Sequence, residues 1–299
     1  MKKHVVVGLG EVLWDVFGDQ RHVGGAPFNF AYHAAALGEN AIPVSRVGRD
    51  ALGREIIDIV KGWGLPDEHI QRDSHHPTGT VRVKLSPSGE PTFTITEDVA
   101  WDFMSPTPRL LALARRADVV CFGSLCQRGE TSRGAIQRFV AAARRATIIF
   151  DINLRQRFYS EQIIRSSLHA AHILKLNDGE LKVLKVLFGL AGLSDDAFAL
   201  ELICRFRLRM VCVTLGARGC VLRTARRRIE APGYRVKVAD TVGSGDAFTA
   251  ALACGYLRGY PLGKMADFAN RVGAYVASQP GATPTLDLKR IHAMKGTLR

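Results

Sequence analysis

The sequence predicts an α/β protein built on a largely parallel sheet. One observation is a partial internal echo between "ALARRADVVCFGSL" (112–125) and "AAARRATIIFDINL" (141–154), each a helix end with two arginines followed by a short β-rich apolar run. Arginines in a last helical turn complement the macrodipole, and uninterrupted apolar runs suit strands buried on both faces. A second observation is that "AHILKLND" (171–178) and "RMVCVTLGARG" (209–219) continue the alternation of helix and strand. Helices alternating with strands cover both faces of a parallel sheet. With 299 residues and 47% apolar side chains, the chain is long enough for a substantial core.

In chain order, the apolar run in "MKKHVVVGLGEV" is cut short by Glu11, too early for a secretory signal. "LWDVFGDQRHVGG" then reads as two short strands around Gly18-Asp19, and "GGAPFNFAYHAAALG" (24–38) as a glycine pair entering a helix closed by Gly38. Residues 78–96, "TGTVRVKLSPSGEPTFTIT", alternate Val81, Val83 and Leu85 with Arg82, Lys84 and Ser86 before the turn "PSGE". That pattern is a β-hairpin. With the first pair it can form a small β lobe over the main sheet, either a lid or an ordinary edge hairpin.

Composition narrows the function classes. The 41 Lys+Arg against 28 Asp+Glu give a net charge of +13, which suits anionic ligands. The arginines are spread along the chain without an aromatic-interleaved run or a reader motif, which argues against nucleic acid. The six cysteines form no CxxC pair and read as small buried residues of a reducing compartment, and no stretch approaches the ~20 apolar residues of a membrane span. The expected location is the cytoplasm. His75-His76 and the pair His169 and His172 lack an evident third metal ligand.

Ligands of open α/β sheets bind beyond the carboxyl ends of the strands. Here those ends carry Gly123 and Ser124, then Asp151, Asn153 and Arg155, then Asn177 and Glu180, then Thr214 and Gly216. Singly these are turn and cap residues; at four strand ends together they favour a site.

The stretch "ADTVGSGDAFTAALACGYLRG" (239–259) has the grammar of an anion site. Gly243 and Gly245 let the backbone approach a ligand closely, and the apolar spacing from Phe248 onward puts 243–246 at a helix N terminus, where free N–H groups and the dipole favour phosphate oxygens. Asp246 there is either a plain N-cap or a base able to take a proton from an alcohol attacking phosphorus. Phosphoryl transfer needs positioning, charge neutralisation and such a base. The helix N terminus is expected to keep Asp246 ionised near neutral pH. In the other glycine-rich stretch, Gly24 and Gly25 admit a polyol close to the backbone, and Asn29 offers both a donor and an acceptor.

At these two stretches the sequence resembles the PfkB, or ribokinase-like, family of sugar and nucleoside kinases. "DTVGSGDAF" matches its C-terminal signature, with Ser244 in place of the usual alanine, and "GGAPFNFAYHAAALG" matches its N-terminal glycine-pair region. "GEVLWD" (10–15), "VGRDALG" (47–53), "DINLR" (151–155), "KLNDGE" (175–180), "VTLGARG" (213–219) and "FANRVGAYVASQPGATPT" (268–285) match in order, so the resemblance covers essentially the whole chain. Ile152 stands where the family often has proline, and Asp178 where glutamate is commoner.

The resemblance implies a ribokinase-like three-layer sandwich, one kinase domain over residues 1–299 with a small β lid from about 12–23 and 78–98. It implies Asp246 as catalytic base and the Gly243, Ser244 and Gly245 amides around the transferring phosphoryl group. Asp15, Gly24, Gly25 and Asn29 would hold the sugar, with Asn153 and Arg155 on the sugar and phosphate path. Apart from the resemblance, Trp101 in "EDVAWDF" follows the hairpin and is expected to close over the sugar. Asn177 and Glu180 are linked with Mg²⁺ and phosphate; Thr214, Gly216 and Gly219 would border ATP, and Asn270 the adenine. A K⁺-type monovalent cation would involve Asp240, Val242, Val276, Gln279, Gly281 and Thr285. Family members often dimerise through the lid, so a homodimer is a further expectation.

"GGAPxN", the "GE" before Asp15 and the "NLR" segment resemble bacterial fructokinases, so the expected acceptor is the terminal hydroxyl of fructose. Ketodeoxygluconate kinase, ribokinase and nucleoside kinase remain alternatives within the family. A sensor without catalysis is an alternative of another class, disfavoured by the presence of Asp246 with both glycines. A dehydrogenase prompted by "VVVGLGEVL" lacks the third glycine of its fingerprint, because Leu13 stands there.

Overall fold

The computed structural model describes residues 3–85 and 91–295. The chain opens with β1 (Val5–Leu9), the short strands β2 (Leu13–Phe17) and β3 (Gln20–Gly24), α1 (Ala26–Ala36), β4 (Asn40–Gly48), α2 (Ala51–Gly62) and β5 (Ile70–Asp73). The hairpin strands β6 (Thr80–Leu85) and β7 (Pro91–Ile95) follow. Next come α3 (Pro108–Arg116), β8 (Val119–Phe122), α4 (Glu130–Ala142), β9 (Thr147–Asp151), α5 (Glu161–Ala170), β10 (Ile173–Asn177), α6 (Asp178–Leu187), α7 (Asp195–Phe206) and β11 (Met210–Thr214). The last elements are β12 (Cys220–Arg223), β13 (Arg228–Ala231), α8 (Ser244–Leu257), α9 (Leu262–Ala277) and α10 (Leu288–Ala293).

Among the described residues the main sheet has nine strands in the order β13-β12-β11-β10-β9-β8-β1-β4-β5. From β5 to β11 every neighbouring pair is parallel, while β12 and β13 run antiparallel at one edge. Side chains of a strand alternate between its faces, so each strand feeds two cores. Val7, Val120, Phe150, Leu174 and Val211 pack with α3 to α7 on one side. Val6, Val119, Ile149, Ile173 and Cys212 pack with α1, α2, α8, α9 and α10 on the other. The result is the expected ribokinase-like sandwich of three layers.

The echoed segments fold as α3–β8 and α4–β9. Arg115 and Arg116 close α3, whereas α4 ends at Ala142 and leaves Arg144-Arg145 in the turn beyond it. A second sheet has the order β3-β2-β6-β7, with β2 and β6 parallel and the outer pairs antiparallel. The hairpin register runs from Val81 opposite Ile95 to Leu85 opposite Pro91; the expected "PSGE" turn lies outside the described residues. The base of this sheet is tied to the main body through Trp14, whose backbone N–H donates to Gly79 O (3.0 Å) while its indole Nε1 donates to Leu52 O (3.1 Å).

The cysteines in the core are unbonded and buried, with Cys204 exposed on α7. Among the described residues no helix is long and apolar enough to cross a membrane. His172 Nδ1 accepts from Ile148 N (3.0 Å) and His169 packs edge-on against Phe206, so both are structural.

Candidate active site

Chain leaves β1, β9, β10 and β11 on the same edge of the sheet, and the polar residues read at the strand ends meet there. The N terminus of α8 faces them. Its N-cap is Gly243, at φ 74°, and Asp246 lies inside the first turn. A methyl group on Gly243 would stand 2.4 Å from Ala282 O, so only glycine allows both the left-handed backbone and the close approach. Gly243, not Asp246, is the N-cap, and no side chain caps this helix; the Asp246 carboxylate instead accepts a 2.8 Å hydrogen bond from Asn29 Nδ2.

Asn29 is held by α1, which starts directly after the glycine pair. Gly25 is its N-cap at φ 112°, and a methyl there would meet Glu11 O at 2.4 Å. A methyl on Gly24 would stand 2.3 Å from Asp15 Oδ2, which places the Asp15 carboxylate against the glycine pair. Asp15, Gly24, Gly25, Asn29 and Asp246 therefore form one cluster.

Two residues outside the expected set complete its floor. Lys175 is buried in β10 and pairs with Asp151 Oδ1 at 3.1 Å. A methyl on Gly245 would stand 3.3 Å from Lys175 Nζ, so the ammonium lies directly beneath the α8 N terminus. The Thr249 hydroxyl is 2.8 Å from Asp151 Oδ2 and 2.9 Å from Gly245 O. Burial alone would lower the Lys175 pKa, but the carboxylates of Asp151, Glu180 and Asp246 more than offset it and hold the ammonium charged. Its sequence signal was a single lysine inside the apolar run "HILKLN", in a strand buried on both faces.

The second addition is Glu11, 2% exposed, with Oε2 lacking a partner. Burial raises its pKa to about 7, helped by the Asp246 charge and opposed by the Glu11 and Ala26 amides and by Arg155. Burial likewise raises Asp15 to about 6, with Asp246 and Asp240 adding to it and Arg155 opposing. Asp246 itself is raised to about 6, first by burial and then by the Asp151 charge, against the Asn29 hydrogen bond, Lys175 and Arg155. The helix N terminus thus does not hold Asp246 at an ordinary carboxylate value, yet it remains mostly ionised at pH 7. A base with a pKa near its working pH is suited to proton transfer.

Beside the cluster opens a cavity of about 670 Å³, lined by Asn177, Thr214, Gly216, Gly219, Ser244, Gly245 and Asn270 among others. Its walls join the α8 N terminus to the ends of β10 and β11. Asn270 Nδ2 donates to Ala231 O and Pro232 O, both at 3.1 Å, and so shapes the far wall. Glu180 stands behind the cavity as half of a capping box. Its Oε2 accepts from Asn177 N (2.8 Å) and its Oε1 from Leu154 N (2.9 Å), while Asn177 Oδ1 accepts from Glu180 N (2.8 Å). Between these elements, Asn153 at φ 43° and Gln156 at φ 47° are non-glycine residues in the left-handed region. Such strain is retained where the surrounding structure fixes a functional loop.

The stretch expected to hold a monovalent cation is drawn together around Asp240. Its Oδ1 accepts from Val242 N (3.0 Å) and its Oδ2 from Gly281 N (3.2 Å). Val276 O accepts from Gln279 N (2.9 Å) and Thr285 O from the Tyr275 hydroxyl (3.3 Å). Among the described residues no group of three or more His, Cys, Asp or Glu side chains is arranged to hold a metal ion.

Trp101 is a correction. It is wholly buried in the core, with the Arg128 guanidinium 4.0 Å above its ring and Gly79 so close that a methyl there would meet its Nε1 at 2.2 Å. A side chain with no exposed surface cannot close over a sugar. Trp101 supports the root of the small sheet instead.

A desolvated carboxylate beside an amide-lined helix N terminus, a lysine beneath it and an adjoining cavity, all at the carboxyl edge of a parallel sheet, fit a phosphotransferase acting on an alcohol. The comparisons agree: residues 4–289 match the model of the pfkB family carbohydrate kinases, and the chain belongs to that family. It is 30% identical to fructokinase-1 of Oryza sativa over 95% of both chains. The crystal structure of an uncharacterized sugar kinase from Pyrococcus horikoshii superposes with a TM-score of 0.82 at 29% identity over 97% of each chain. A Vibrio cholerae fructokinase with fructose, ADP and potassium bound gives 0.81 at 25% identity, covering 97% of this chain and 98% of that one.

Proposed function

We propose that this sugar kinase transfers the γ-phosphoryl group of ATP to the terminal hydroxyl of fructose. The observation that carries the reading is the Asn29–Asp246 hydrogen bond, which fixes a carboxylate with a raised pKa in the first turn of the helix whose amides begin at Gly243. Asp246 takes the hydroxyl proton, Asp15 and Asn29 hold the sugar, and Arg155 faces both. The amides at Gly243, Ser244 and Gly245 and the Lys175 ammonium stabilise charge on the phosphoryl oxygens. ATP would occupy the cavity bordered by Thr214, Gly216, Gly219 and Asn270.

A Mg²⁺ would arrive with the nucleotide phosphates, since this ion is commonly held by one or two carboxylates plus substrate. Asn177 at the cavity wall, with Glu180 behind it, would meet it, and its chemistry would be charge neutralisation. The two backbone loops joined by Asp240 fit a K⁺ site behind the cradle. The small sheet is read as a lid, and as the surface through which a homodimer would form.

Fructose is preferred to ketodeoxygluconate because Glu11, Asp15, Asp240 and Asp246 outnumber the cations Arg155 and Lys175 around the acceptor, which disfavours a carboxylate-bearing sugar. The fructokinases among its relatives also support fructose. The test is coupled ADP release across fructose, ribose, ketodeoxygluconate, tagatose phosphate and nucleosides. Turnover is expected to be highest with fructose; turnover on ketodeoxygluconate alone would overturn the substrate assignment.

A further inference from the structure

α1 carries His33 four residues after Asn29, one helical turn further along the same face. Asn29 holds Asp246; His33 Nε2 lies 2.9 Å from Ala282 O, in a site with no exposed surface. A carbonyl only accepts, so Nε2 carries the proton and His33 donates. Burial pushes the imidazole down to about 4, which keeps it neutral, and Nδ1 has no partner. The whole polar purpose of this side chain is one hydrogen bond.

Its acceptor is not an arbitrary carbonyl. Ala282 O is the atom against which Gly243, the first residue of the cradle, is packed. The same segment is held a second time where the Tyr275 hydroxyl donates to Thr285 O at 3.3 Å. One helix therefore braces both halves of the phosphoryl site: the base through Asn29 and the backing of the amide cradle through His33.

We propose that His33 is a positioning residue for phosphoryl transfer, its Nε2–H holding the Ala282 carbonyl so that the Gly243–Asp246 amides stay aimed at the transferring group. This deepens the kinase reading and rests on it. Without the donor, the Ala282 carbonyl is buried and unpaired and the segment shifts to find a partner. Misplacement of about 1 Å costs catalysis on the order of 10²-fold.

The test compares H33L, which fills the space without a donor, with H33Q, whose amide nitrogen reaches about as far as Nε2. Three quantities are read: kcat per competent site, equilibrium Kd for fructose and for ATP, and hydrogen exchange at the amides of 243–247. H33L is expected to lose on the order of 10²-fold in kcat with both Kd values within about threefold of the parent, and to exchange faster at 243–247, while H33Q stays close to the parent. A purely structural role would lower the melting temperature and the competent fraction but leave kcat per site intact. That outcome, or an H33Q as impaired as H33L, overturns the proposal. Exchange at 243–247 is read without catalysis, so it decides the role of His33 even if no acceptor gives ADP, a result that would instead sink the kinase reading. Should H33L not fold, H33N replaces it: its shorter amide cannot reach Ala282 O and is expected to show the same loss.

Discussion

Asn29 Nδ2 donates to Asp246 Oδ2 at 2.8 Å, joining the first turns of two helices 217 residues apart in sequence. The bond orients the Asp246 carboxylate and favours its ionised form, opposing the burial that raises its pKa. Asn29→Ala is therefore expected to raise the Asp246 pKa further. The loss in kcat/KM should be larger at pH 6 than at pH 8, and on the order of tenfold at pH 6, in keeping with hydrogen bonds to charged groups. Equal losses at both pH values would show that Asn29 contacts the sugar without tuning the base.

The pH profile of the parent follows from the same group. Asp246 must be ionised to accept a proton, and its pKa stands at about 6. Activity should rise with pH through that value and fall below it, giving an acid limb in kcat/KM near pH 6 rather than near 4. Glu11 and Asp15 titrate in the same range, so the limb is an apparent value for the group of carboxylates. A limb at pH 4 would contradict the desolvated site.

Lys175→Met keeps the length of the side chain but leaves Asp151 buried beside Asp246 without its cation. Stripping one partner from a buried pair costs about 3–5 kcal/mol, which urea denaturation would read. In the double variant Lys175→Met/Asp151→Leu, stability should return in large part while turnover does not. Recovery of turnover would remove Lys175 from the phosphoryl site.

Trp101→Ala empties a fully buried site under Arg128. The expected loss is about 3–5 kcal/mol of stability, as for other buried aromatics. The KM for the sugar measured on the folded fraction should hardly change; a large rise would restore Trp101 to the sugar pocket.

How much of this was legible in the sequence depended on the kind of signal. The parallel strands β8 to β11 were readable because apolar runs bounded by helices have few other ways to be buried, whereas β4, interrupted by Pro43, and the polar β5 were not read. The edge strands β12 and β13 were not read, since "RTARRR" between them looks like a charged surface loop and their pairing is set by position at the sheet edge. Sequence spacing placed Asp246 at a helix start, but only the tertiary structure showed Gly243 as the cap and the Asp246 carboxylate bonded to Asn29. Glu11 and Lys175 were present in the quoted motifs, yet their burial and charge partners come from strands distant in sequence. Trp101 was misjudged because an aromatic after a hairpin looks the same in sequence whether it faces a cleft or a core.

The central claim is that Asp246 is the proton acceptor of a sugar kinase. Its most direct test is ADP release by Asp246→Asn, with fructose and ATP binding measured on the same protein. The account predicts that both ligands still bind and that kcat falls by about 10²–10⁴-fold, the range for loss of a general base. Turnover equal to the parent's with both ligands bound would contradict it.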